Sequence, residues 1–143
     1  MATTYGGYAF KTGSTPSENS DSGFVVLSKQ VVLQAAGTGA SVNQDFTLDL
    51  PPGSQLLNVV ADTTVAHTST TATLAIGSTV GGAEYYAATD IKAQGRVTFA
   101  ATTTIAAIQD IGTNTSVKLR LALGTTTTAV GTTYATVTYI QKR

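Results

Sequence analysis

The sequence predicts an all-β protein of one domain. Residues 24–143 read as a β-sandwich of about seven to nine antiparallel strands, and residues 1–23 as an extended N-terminal arm. Three observations carry that expectation. Segments rich in Val, Leu, Thr and Tyr recur at roughly the 8–12-residue spacing of sandwich and barrel strands. Several of them alternate apolar and polar residues with period two, the pattern of a strand with one face buried. Clusters of Gly, Pro and Ser punctuate the chain between them.

The arm carries Lys11-Thr12-Gly13-Ser14-Thr15-Pro16 and little periodicity, so it buries too little apolar area to fold alone. It also holds Tyr5, Tyr8 and Phe10, aromatics that a plain linker lacks, and these are candidate contacts with other subunits. The arm is therefore expected to be mobile in the free protein and ordered against a neighbour.

Phe24 to Gln34 is rich in β-branched residues and ends before the Gly37-Thr38-Gly39 turn. From Gln44 to Leu50, Phe46, Leu48 and Leu50 face one way and Asp45, Thr47 and Asp49 the other, until Pro51 and Pro52 stop the strand. Gln55 to Ala66 is apolar on both faces in its first half, as a central strand would be. Thr71 to Ile76 leads through Gly77–Gly82 turn chemistry into the short strand Ala83 to Ala88. Gly95 to Phe99 and part of Thr102 to Ile111 offer one or two more strands. Ala-rich 86–93 and 104–111 have room for one helical turn each, too little to change the class. Thr115 to Leu123 sets Val117, Leu119, Leu121 and Leu123 on one face, and Thr133 to Gln141 closes the chain with the Thr, Val and Tyr that suit a pleated surface.

Composition narrows the function. The chain has 143 residues and 14.6 kDa, enough for a core without metals or crosslinks. Of these, 28 are Thr, 20 Ala, 14 Gly and 10 Ser, and only 11% are charged, in a net balance of zero. Eight scattered basic residues do not form the clustered cationic surface that nucleic acid requires. With no Cys there is no disulfide framework, thiolate nucleophile or Cys-based metal site. No apolar run approaches a membrane span, and the N-terminus lacks the basic start and apolar stretch of a signal peptide. A surface with few charges is poorly protected against association, so much of it is expected to meet other protein subunits.

Catalytic and metal signatures are weak. His67 lies near Asp62 and Ser69, but no nucleophile elbow frames it. It reads as a loop or rim residue whose replacement by Ala stays within about 0.5 kcal/mol. Asp45, Asp49, Asp62, Glu84, Asp90 and Asp110 are spread singly, without the Asp-x-Asp-x-Asp calcium loop. The expectation is a protein that is not an enzyme, with no cofactor and no metal. Tyr85 and Tyr86 are adjacent, and neighbours on a strand point to opposite faces, so one ring is expected in the core and one exposed. That exposed ring is a candidate contact that fills the pocket of a partner or sister subunit. In an alternative reading it is the stacking platform of a carbohydrate-binding module of an adhesin, which the lack of Trp disfavours.

Pro51-Pro52-Gly53-Ser54 running through an apolar strand to Ala66, then Ala72 to Thr79, then Ala83-Glu84-Tyr85-Tyr86, resembles small β-sandwich virion proteins of tailed bacteriophages. The Thr/Ala/Gly-rich, Cys-free composition is similar to theirs, and the resemblance covers roughly residues 50 to 100. It implies a jelly-roll-like sandwich acting as a capsid decoration, or cement, protein. Such a protein is a homotrimer on the capsid surface, made in the host cytoplasm, that binds the major capsid protein and bridges capsomers. A tail, fibre-base or adaptor component is the alternative it implies.

Overall fold

The computed structural model describes residues 4–5, 8–9, 25–39, 42–102, 111–113 and 115–141. In chain order the strands are β1 (Thr4–Tyr5), β2 (Tyr8–Ala9), β3 (Val25–Gln34), β4 (Val42–Asp49), β5 (Gln55–Val65), β6 (Ala72–Gly77), β7 (Tyr86–Asp90), β8 (Gly95–Thr98), β9 (Ser116–Leu123) and β10 (Thr132–Gln141). The described part of the first 23 residues is a two-residue antiparallel ladder, Thr4 opposite Ala9 and Tyr5 opposite Tyr8. Phe10 and the remainder of that segment lie outside the described residues, as does 103–110.

Two four-stranded sheets enclose the core, in the orders β3-β10-β5-β8 and β4-β9-β6-β7. The pairings are nested: β6 with β7, β5 with β8, β4 with β9 and β3 with β10, all antiparallel. The chain is thus one long hairpin, with its tip at β6–β7, folded over so that its rungs alternate between sheets. Two further antiparallel ladders, β10–β5 and β9–β6, join the rungs within each sheet. The result is an all-β sandwich of two antiparallel four-stranded sheets.

Period-two alternation explains the interior. Val117, Leu119, Leu121 and Leu123 of β9 and Thr133, Ala135, Val137 and Tyr139 of β10 are buried, and the residues between them are partly exposed. Leu33, Leu48, Leu56, Leu74 and Ile76 complete the same cluster from the flanking strands. β5 departs from its expected pattern. Against β10 it carries two register shifts, which leave Leu57 and Thr64 as extra residues. The first bulge turns Leu57 outward, so its apolar first half is not buried on both faces. In the 86–93 segment Tyr86–Asp90 forms β7 rather than a helical turn, because the ladder opposite Thr73, Leu74 and Ile76 satisfies its backbone.

His67 is also placed differently from expectation. It sits in the loop after β5, but it is only 3% exposed. Its ring Nε2 lies 2.9 Å from the Thr133 hydroxyl, which lies 2.9 Å from the Thr63 hydroxyl, which donates to the Ile91 carbonyl at 3.0 Å. Each hydroxyl has a single proton, so the donor chain runs one way. Thr63 gives its proton to Ile91, Thr133 gives its proton to Thr63, and His67 must donate from Nε2. Nδ1 is then the bare nitrogen, buried with no hydrogen-bond partner. Gly131 packs directly on this edge of the ring, and a Cβ there would collide with Nδ1 and Cγ. A polar core residue, invisible to a pattern of apolar periodicity, pins the loop to both β5 and β10.

Two outcomes follow from that burial. His67→Ala strips Thr133 of its donor and opens a cavity, so it should cost about 1–3 kcal/mol in urea unfolding, well above a surface substitution. Burial also lowers the His67 pKa below its usual value near 6.5. The unfolded chain therefore binds the extra proton first. Stability from this group is full above pH about 6.5 and falls as pH drops toward the folded pKa, with a slope no steeper than about 1.4 kcal/mol per pH unit. His67→Gln should flatten that part of the pH–stability curve; an unchanged slope would contradict the assignment.

Candidate interaction surface

Of the aromatic contacts expected from sequence, neither Tyr85 nor Tyr86 is exposed, at 4% and 2%. The alternation argument does not apply because Tyr85 lies in the bend before β7, outside the strand. Its N–H donates to the Ile76 carbonyl and its own carbonyl accepts from Thr102, which turns the ring inward. Tyr86 opens β7 opposite Ile76 and meets Phe99 edge-on, with centroids 6.5 Å apart at 89°. Burial raises the Tyr86 phenol pKa. These rings hold the core and offer no sugar platform. The backbones of Tyr5 and Tyr8 are paired in register in the β1–β2 ladder, and Phe10 is outside the described residues.

The elements of a Ser-His-Asp site are not brought together. Asp62 accepts two bonds from Arg96, at 2.6 and 3.2 Å, on the outer face of β5, and the Ser69 hydroxyl donates to the Thr71 carbonyl. His67 reaches Thr133 instead. Among the described residues no group of three His, Cys, Asp or Glu is placed to hold a metal ion.

What the structure does assemble is a pair of unlike sheet faces. Outside the β4-β9-β6-β7 sheet, Asp45, Asp49, Lys118, Arg120 and Asp90 form a charged surface. Arg120 donates to both Asp45 oxygens, at 2.7 and 2.9 Å, and holds that carboxyl below its ordinary range. Beside this face Glu84 closes the Gly77–Gly82 turn. Its carboxylate accepts from the Ser78 N–H and the Thr79 hydroxyl, both at 3.0 Å, and its pKa is lowered first by its own backbone N–H and then by Thr79 and Ser78. Gly77 and Gly82 leave the space that this carboxylate fills, so those glycines serve a turn, as read from sequence.

The opposite sheet presents another chemistry. Cross-strand register sets Val26 beside Ile140; Ser28 beside Thr138 and Asn58; Gln30 beside Thr136, Val60 and Thr98; and Val32 beside Tyr134, Asp62 and Arg96. Among the described residues, the charges on this face are the Asp62–Arg96 pair at its β8 margin. The rest is hydroxyl, amide and apolar, with Val26 at 58% and Val32 at 43% exposure. The sequence signal for it was the pair of runs Val25-Val26-Leu27 and Val31-Val32-Leu33, apolar on both faces of a strand that turns out to be a sheet edge.

No protein-family model matches the chain, and no curated protein matches it by sequence. Solved structures do. A chain of the Cyanophage Pam1 capsid asymmetric unit superposes with a TM-score of 0.63 at 20% identity, covering 92% of this chain and 100% of that one. A chain of the acidic stable capsid structure of Helicobacter pylori bacteriophage KHP30 gives a TM-score of 0.41 at 15% identity over 80% of this chain and 94% of that one, too distant to carry an argument. At 20% identity, the first likeness is one of fold, and it extends end to end over the capsid chain.

Proposed function

We propose that this chain is a non-enzymatic structural protein of a bacteriophage virion, of the capsid decoration or cement type. The observation that carries the reading is the full-length fold likeness to a chain of a phage capsid asymmetric unit. It agrees with the family that the Pro51–Tyr86 stretch resembles and favours the head over a tail or fibre-base position. The strand order supports it, since the eight-stranded jelly roll is an architecture that viral capsid domains use.

Surface chemistry supports the same role. A face that carries one marginal ion pair is brought out of water against protein without the desolvation cost of lone charges. In this reading the β3-β10-β5-β8 face is the one turned to other subunits, and the charged face is turned to solvent. The partners are the major capsid protein and sister copies, in the homotrimer that the resemblance implies. The arm adds a tether, with Tyr5, Tyr8 and Phe10 as its anchors. Each aromatic buries about 150–250 Å², worth about 4–6 kcal/mol at ~25 cal/mol per Å² before the ordering cost is subtracted. The carbohydrate-binding alternative has lost its platform, because Tyr85 and Tyr86 are core residues.

Deleting residues 2–22 tests the reading. The truncated sandwich should unfold at a temperature near that of the full chain but decorate undecorated particles with markedly weaker affinity. Unchanged decoration would remove the arm from the account. Light scattering of the full chain at micromolar concentration should return a multiple of 14.6 kDa; a monomer throughout the concentration series would contradict self-association.

A further inference from the structure

Each open sheet has two edges, and an unguarded edge is a template for another strand. Three of the four edges here are guarded. β4 carries Asp45 and Asp49, β7 is five residues long and broken by a register shift, and β8 is four residues beginning at Gly95 and bearing Arg96. β3 has none of these devices. It runs ten residues in unbroken register with β10, holds no proline, and its sole charge, Lys29, is drawn inward to donate to the Asp49 carbonyl at 2.6 Å.

The direction of its backbone groups follows from the ladder. The Ala35 N–H donates to the Gly131 carbonyl, one step beyond the Thr132–Gln34 pair. In an antiparallel ladder alternate residues point the same way. Val25, Leu27, Lys29, Val31 and Leu33 therefore face β10, while Val26, Ser28, Gln30, Val32 and Gln34 turn both N–H and C=O to the open edge. Among the described residues nothing pairs with them.

We infer that β3 of one copy pairs antiparallel with β3 of a second copy, across a two-fold axis centred on Gln30. That register sets Gln30 against Gln30, Ser28 against Val32 and Val26 against Gln34, so every outward-facing backbone group on both strands gains a partner. It also sets Lys29 opposite Val31 of the second copy. Centring the axis on Lys29 instead would oppose two ammonium groups and strand one residue of each edge. The interface is isologous and makes one continuous eight-stranded sheet from two sandwiches. The chain's own residues 11–23, Ser-, Thr- and Gly-rich with Pro16, are poor strand formers and fit this edge less well. The pairing goes beyond the virion reading and does not depend on it. In a trimeric assembly it links a copy in one ring to a copy in the next.

The absence of cysteine makes the test clean. Gln30→Cys in the full chain places two thiols on residues with Cα atoms about 5.5 Å apart, within disulfide range. Mild oxidation, and in parallel a short bismaleimide, should yield covalent dimer as the main product, whereas Thr47→Cys on the β4 edge should yield little. Ser28→Pro removes an N–H that points away from β10, so it should leave the thermal midpoint near that of the parent while weakening self-association by about tenfold or more. Crosslinking at position 30 no greater than at position 47 by both reagents would overturn the proposal, and so would a folded Ser28→Pro chain that associates like the parent. Should Ser28→Pro fail to fold, the crosslinking result decides alone. Loss of particle binding with crosslinking intact would instead count against the virion role.

Discussion

The interior shared by β9 and β10 is the constraint on which the rest of the molecule depends. Each of these strands is paired on both sides, β9 between β4 and β6 and β10 between β3 and β5. Each must present a single apolar face to the other sheet. That fixes period two along both strands, and a one-residue slip would turn Leu119 and Leu121, or Ala135 and Val137, toward water. Because the hairpin is nested, the register of these two strands propagates to all the others. Thr63 and Thr133 sit in this layer only because they are bonded to each other, to His67 and to the Ile91 carbonyl. Outside it, strand threonines such as Thr47, Thr136 and Thr138 keep β-branched packing on the pleat while supplying polarity without charge.

Much of this was legible from residues alone, for a physical reason. A half-buried strand writes its alternation into the sequence, and β4, β9 and β10 do so plainly. β6 was framed by the Gly77–Gly82 turn chemistry at its end. What was hidden depends on long-range geometry. The bulge at Leu57 arises from the mismatch of β5 against β10, and no local pattern encodes it. Tyr85 turns inward because a bend bonds it to Ile76 and Thr102, residues 9 and 17 positions away. His67 stands where a strand end runs into the polar stretch Thr68 to Thr71, which resembles a surface loop in every local respect. Its burial is set by Thr133, 66 residues on.

The surface divides function from scaffold in the same terms. One sheet wears the Arg120–Asp45 ion pair, Lys118 and exposed carboxylates, and the other keeps hydroxyls, amides and a few valines beside its marginal Asp62–Arg96 pair. A low charge count over the whole chain could have meant an even, bland exterior. Instead, among the described residues, the sheet-face charge is concentrated on one side, leaving a face and a ten-residue edge whose chemistry suits contact with protein. The proposed virion role would account for such a surface, since a protein that is permanently docked needs little protection against docking.

The most direct test of that role is the amount of this protein in purified phage particles, measured against the major capsid subunit by quantitative mass spectrometry across a density gradient. A structural component of the shell is predicted to follow the particle peak at a fixed stoichiometric ratio. A trace amount, or a ratio that drifts across the peak, would contradict the account.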